Sequence, residues 1–126
     1  MDKIFKITLI DDEKDLVGAL KSFLEPRGFD VSFAYNGKDG MCVIKRENPD
    51  LVVMDITMPE LDGRDLLSLL KKSDDTRGIP VIVLSAKDEP FEVEYISRLG
   101  VYSYLTKPYS ITTLMKQVKG ALGIEA

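Results

Sequence analysis

The chain has 126 residues, 44 % of them hydrophobic and 30 % charged, a balance that builds one compact, solvated domain and excludes a disordered or membrane-embedded chain. Its formal charge of -4 provides no basic field for a phosphate backbone, so direct nucleic-acid binding is not expected and any DNA output would need another domain. Cys42 is the only cysteine and histidine is absent, which excludes an internal disulfide and leaves oxygen as the donor for any metal ion.

Met1 to Lys6 lacks the long apolar stretch of a secretory signal, and no run approaches a membrane span, so a cytoplasmic location is expected. In chain order, the short apolar runs Ile7–Ile10, Leu51–Met54 and Val81–Leu84 each end abruptly in polar or turn residues and are predicted as buried strands. Val31–Tyr35 and Val101–Leu105 alternate polar and aromatic residues more loosely, which predicts strands at the sheet edges.

Helical stripes are clearest at Leu16, Val17, Leu20, Phe23 and Leu24, and at Ile111, Leu114, Met115, Val118 and Leu122. Less regular helices are predicted over 38–47, 64–72 and 89–99, with Lys71 to Gly78 as a polar connection. Alternation of strand and helix predicts an α/β fold: a doubly wound parallel sheet of five strands in the order 2-1-3-4-5, with five helices, taking in residues 1–126 as one domain. In that order the chain reverses direction between the first and third strands, and open α/β sheets bind ligands beyond the carboxyl ends of the strands at such a point.

The first strand ends in Asp11-Asp12 and the third in Asp55, so the topology brings three carboxylates to one crevice. Like charges so close repel unless a cation offsets them, and magnesium, a hard cation that joins carboxylates to phosphate oxygens, is the natural candidate. Ser85 ends the fourth strand with a hydroxyl and Lys107 follows the fifth with a positive charge, which completes a nucleophile, a metal site and charge-stabilising donors for phosphoryl transfer. Taken singly, each has a plainer use: Asp11 or Asp12 as a helix cap, Asp55 in the turn toward Pro59, Ser85 as an N-cap, Lys107-Pro108 as a surface turn and Tyr104 as edge packing. Their shared rim favours the functional use.

Met54-Asp55-Ile56-Thr57-Met58-Pro59-Glu60-Leu61-Asp62-Gly63, with Asp11-Asp12, Leu84-Ser85-Ala86 and Tyr104-Leu105-Thr106-Lys107-Pro108-Tyr109, resembles response regulator receiver domains of two-component systems over essentially the whole chain. The resemblance implies a flavodoxin-like fold in which Asp55 is the phosphoacceptor, taking a phosphoryl group from a sensor histidine kinase or phosphotransfer protein and later losing it. It further implies magnesium held by Asp12, Asp55 and the Thr57 carbonyl with Asp11 acting through water, Lys107 and Ser85 as catalytic donors, and a switch made by Ser85 and Tyr104. A downstream effector would read helix four, strand five and helix five, and Lys107-Pro108 would be cis.

Gly100 to Tyr104 lacks the acidic pair that precedes this tyrosine in many transcription-factor receivers, so a monomer or a weak phosphorylation-dependent dimer is expected. Tyr102 and Tyr109 are either an aromatic docking surface or edge packing, and Thr57 and Lys87 are expected to tune phosphoryl lifetime. A haloacid-dehalogenase-like phosphatase fits less well, because Asp11-Asp12-Glu13 lacks that family's Asp-x-Asp pattern. A nucleotide or flavin site fails because the same acidic loop repels phosphate. A phosphorylation-independent scaffold need not retain the whole reaction set.

Overall fold

The computed structural model describes residues 3–58 and 60–124. Strand β1 (Lys6–Ile10) leads into α1 (Lys14–Leu24), and β2 (Asp30–Ala34) into α2 (Gly37–Glu47). There follow β3 (Leu51–Met54), α3 (Gly63–Lys72), β4 (Val81–Ser85), α4 (Pro90–Ser97), β5 (Ser103–Thr106) and α5 (Ile111–Leu122). The sheet is parallel throughout, in the order β2-β1-β3-β4-β5, as the sequence predicts, with the two looser segments at its edges.

Helices cover both faces of the sheet, which is why its central strands are apolar on both faces, apart from Thr8, rather than alternating. The pleat sends Ile7, Leu9, Leu51, Val53, Ile82 and Leu84 into one cluster with α1 and α5. It sends Ile10, Val52, Met54, Val81 and Val83 into another with α2, α3 and α4. Buried Thr8 is satisfied by a 2.8 Å bond between its Oγ1 and Ser32 Oγ, so its hydroxyl does not weaken this interior.

Local chemistry fixes the helix starts. Asn36, Asp62 and Ser110 cap α2, α3 and α5 through bonds from the backbone N–H groups of Asp39, Arg64 and Thr113. Neither Asp11 nor Asp12 is the N-cap of α1; that position is Glu13. Ser85 is likewise not a cap, since α4 begins after Glu89 with Pro90 at its first turn.

Two elements depart from the sequence expectation. Strand β5 begins at Ser103 rather than Val101, because the chain leaves α4 through Gly100 in a left-handed conformation (φ 89°) and Tyr102 only joins Val81 by one backbone bond of 2.7 Å. Helix α4 is shorter than residues 89–99 and buries only Ile96, while Phe91 (80 % exposed) and Tyr95 face solvent. Its first turn is tied to α3 by an ion pair between Glu92 and Arg64.

At the amino end of the sheet, Asp50 accepts from Lys3 Nζ and from the Lys6 backbone N–H, both at 2.8 Å. Partial burial opposes its ionisation, but these donors outweigh it and hold its carboxyl below the ordinary value. A depressed carboxylate stabilises the fold above its unfolded pKa, and that contribution fades as pH falls through the folded value. Asp50→Asn should therefore cost about 1 kcal/mol at neutral pH. Urea titrations should show the difference from native vanishing toward pH 3, near the lower edge of carboxylate titration.

Candidate functional site

The register that pairs Ile10 with Met54 brings the ends of β1 and β3 side by side, and Asp55 N–H closes the junction on Ile10 O at 2.9 Å. Asp11 and Asp55 are consequently both buried at the carboxyl edge, 5 % and 7 % exposed, with Asp12 exposed beside them. One carboxylate oxygen from each of the three lies within 4.8 Å of the others. The convergence expected from topology is thus present.

Asp55 Oδ1 accepts from the backbone N–H groups of Ile56 at 2.6 Å and Thr57 at 3.2 Å, which fixes the carboxylate's orientation. Its turn-forming and crevice-facing uses are therefore compatible: one oxygen serves the turn and the other faces the crevice. Pro59, the end of that expected turn, lies outside the described residues. Oδ2 of Asp55 accepts from Lys107 Nζ at 3.3 Å. Asp11 divides its oxygens similarly, Oδ1 accepting from Glu13 N–H at 2.9 Å and Oδ2 from Lys107 Nζ at 2.9 Å.

Lys107 reaches the crevice because β5 pairs with β4 and its own N–H donates to Ser85 O at 2.8 Å. The Lys107–Pro108 peptide is cis, as the resemblance implies. Burial by itself would lower the Lys107 pKa, but Asp11 and then Asp55 outweigh it and leave it well above the ordinary lysine value. Burial raises the Asp11 carboxyl despite the opposing Glu13 N–H and Lys107. The Tyr109 phenol is raised by burial as well, against the pull of Lys107.

Ser85, 1 % exposed, ends β4 with its Oγ accepting from Lys87 N–H at 3.2 Å. The half-buried Tyr104 sends its hydroxyl to Lys87 O at 2.6 Å. Lys87 is thus held at its N–H by Ser85 and at its carbonyl by Tyr104, a connection through backbone atoms that residue identity does not reveal. Thr57 and Lys87, two residues beyond Asp55 and Ser85, are both exposed. The sequence reading missed Glu13 as a third carboxylate on Lys107, with Oε1 at 3.3 Å; its signal was the acidic residue directly after Asp11-Asp12.

Three carboxylates, those of Asp11, Glu13 and Asp55, therefore share one ammonium, and the Asp12 carboxylate adjoins those of Asp11 and Asp55. Oxygen donors at this spacing and an excess of negative charge fit a small divalent cation such as magnesium. Asp12 adds charge while remaining exposed. Asp12→Asn should therefore stabilise the metal-free protein by about 0.5 to 1 kcal/mol at low ionic strength, with a smaller gain in salt, as thermal melts would show.

A doubly wound α/β sheet with an acidic crevice at its switch point defines the class. The chain belongs to the response regulator receiver domain family, whose model matches residues 7–119, and so is a receiver domain of two-component signalling. It is 38 % identical over 117 residues to Protein PilH of Pseudomonas aeruginosa, covering 93 % of this chain and 97 % of that protein. The receiver domain of Francisella response regulator 1452 is 35 % identical, with a TM-score of 0.88 over 94 % of this chain and 97 % of that one. The signal receiver domain of a histidine kinase from Syntrophus aciditrophicus is 32 % identical, with a TM-score of 0.86 over 94 % and 90 %.

Proposed function

We propose that the whole chain, residues 1–126, acts in the cytoplasm as one phospho-accepting switch, with Asp55 taking a phosphoryl group from a partner's phosphohistidine. The observation that carries this reading is the meeting of Asp55 with Asp11, Asp12 and Lys107 at the ends of β1, β3 and β5, beside Ser85 at the end of β4. Asp55 Oδ2 is the nucleophile, because Oδ1 is engaged by two backbone donors. It attacks phosphorus, the P–N bond breaks and the histidine departs with that electron pair, leaving an acyl phosphate on Asp55.

Asp12, Asp55 and the Thr57 carbonyl would hold magnesium, with Asp11 acting through water. When bound, the ion would neutralise charge on the carboxylates and phosphoryl oxygens. Lys107 and Ser85 donate to the phosphoryl oxygens. Hydrolysis later returns Asp55 to its free carboxylate, with Thr57 and Lys87 setting water access.

When Ser85 turns its hydroxyl toward a phosphoryl oxygen, its bond to Lys87 N–H weakens, and the loop gripped by Tyr104 is free to move. The equilibrium shifts only by the energy of those exchanged bonds. Helix α4, strand β5 and helix α5 present the change to an effector protein or domain; the chain works as a monomer or a weak phosphorylation-dependent dimer, without nucleic acid or membrane.

Phosphoramidate, whose P–N bond imitates phosphohistidine, tests the switch. Added with magnesium to 15N-labelled protein, it should shift amide resonances at Ser85, Lys87 and Tyr104 and onward into α4 and α5. Shifts confined to the neighbours of Asp55 would mean phosphorylation without a switch. A spectrum that does not respond would oppose the whole reading.

A further inference from the structure

We propose that Glu13 is a positioning residue of this site: its carboxylate holds the Lys107 ammonium from the solvent side at rest and releases it as a phosphoryl group arrives. The inference rests on the phosphoacceptor reading above. An ammonium has three donors, and those of Lys107 meet Asp11 Oδ2 at 2.9 Å, Asp55 Oδ2 at 3.3 Å and Glu13 Oε1 at 3.3 Å. At rest, none is left for a phosphoryl oxygen.

The three acceptors differ in how readily they let go. Asp11 makes the shortest of these contacts, its side chain is 7 % exposed, and Glu13 N–H locks its other oxygen. The Asp55 side chain is 10 % exposed and becomes the phosphoryl carrier, so new acceptor oxygens appear on the side to which Lys107 already points. Glu13 is 60 % exposed, and its freed carboxylate returns directly to water. It is the acceptor released at least cost.

The placement of Glu13 is built into the turn. It is the N-cap residue of α1 in an extended conformation (φ -81°, ψ 95°), pinned through its own N–H to Asp11, so its side chain rises at the crevice mouth beside Pro108 and Tyr109. There it also repels an anionic phosphoryl donor. Tethering and repulsion both slow capture, and an exposed pair of this kind sets the scale at about two- to fivefold in rate.

The test uses the full chain with Glu13→Gln, which removes the charge, and Glu13→Asp, which keeps it on an arm one methylene shorter. The Lys107 Nζ resonance is followed in 15N-lysine-labelled resting protein, and capture of phosphate from acetyl phosphate with magnesium is followed by intact mass. Both variants should shift that resonance and quicken capture two- to fivefold, with unchanged melting cooperativity. An unmoved Nζ resonance in Glu13→Gln, or capture no faster than native, would overturn the proposal. Fast Glu13→Gln with native-like Glu13→Asp would overturn the tether in favour of rim charge alone. A native chain that captures no phosphate would defeat the phosphoacceptor reading and the rate claim, while the resonance would still decide whether Glu13 holds Lys107.

Discussion

Gly63→Ala should cost about 2 to 4 kcal/mol and lower the melting temperature by roughly 10 °C. Gly63 opens α3 and is buried against the segment that carries Asp55. A Cβ there would lie 2.6 Å from Ile56 Cα, 2.8 Å from Asp55 O and 2.9 Å from Ile56 O. All three are backbone atoms, with no flexible side chain to yield, and the Gly63 N–H that donates to Ile56 O at 2.8 Å holds the close approach in place. The methyl group must therefore push the loop away from the end of β3. Gly18→Ala supplies the control: it lies exposed within α1, a Cβ there meets nothing within 4 Å, and the change should stabilise by about 0.5 to 1 kcal/mol. Thermal melts of the pair separate a steric cost from a general response to alanine. A Gly63→Ala protein that melts like the native one would mean this approach is not needed.

Lys107→Met should destabilise the protein by roughly 3 kcal/mol at pH 7 in the absence of divalent metal. The Lys107 side chain is 13 % exposed, and its removal leaves the side chains of Asp11 and Asp55, 7 % and 10 % exposed, facing each other without a cation. Because the folded pKa of Lys107 is raised, its contribution is fully present below the unfolded lysine value of 10.5 and is lost only as pH climbs through the higher folded value. At the acid end the sign comes from Asp11, whose pKa burial raises above 3.8. That shift favours the fold below the unfolded value, and the advantage is lost as pH rises through the folded one. Without Lys107 the Asp11 carboxyl rises further, so the gap between native and variant should narrow as acid neutralises it. Magnesium should recover part of the lost stability by binding the folded form. Urea titrations from pH 4 to pH 10 measure the gap; one independent of pH would show that packing of the aliphatic stem, not charge, is what Lys107 contributes.

How much of this was legible in the sequence depends on what kind of contact was involved. Strands β1, β3 and β4 announced themselves because burial on both faces leaves short continuous apolar runs. Once they were ordered, the meeting of Asp11 with Asp55 and Lys107 followed from topology. The start of β5 did not, because the turn through Gly100 displaces it two residues past where the aromatic pattern begins. Helix α4 was poorly bounded because it buries a single side chain, Ile96, and is held partly by the Arg64–Glu92 ion pair, which no local pattern encodes. The relay through Lys87 uses its N–H and carbonyl, which every non-proline residue possesses. Glu13 was read only as part of a repulsive loop, since its bond to Lys107 depends on which way an exposed side chain turns.

The most direct measurement of the central claim is intact mass after acetyl phosphate treatment, with and without magnesium, for the native chain and Asp55→Asn. The account predicts one phosphoryl adduct on the native chain that requires magnesium, and none on the variant. No adduct on folded native protein under any condition would contradict the switch, and an adduct that persists in Asp55→Asn would contradict the assignment of Asp55 as the nucleophile.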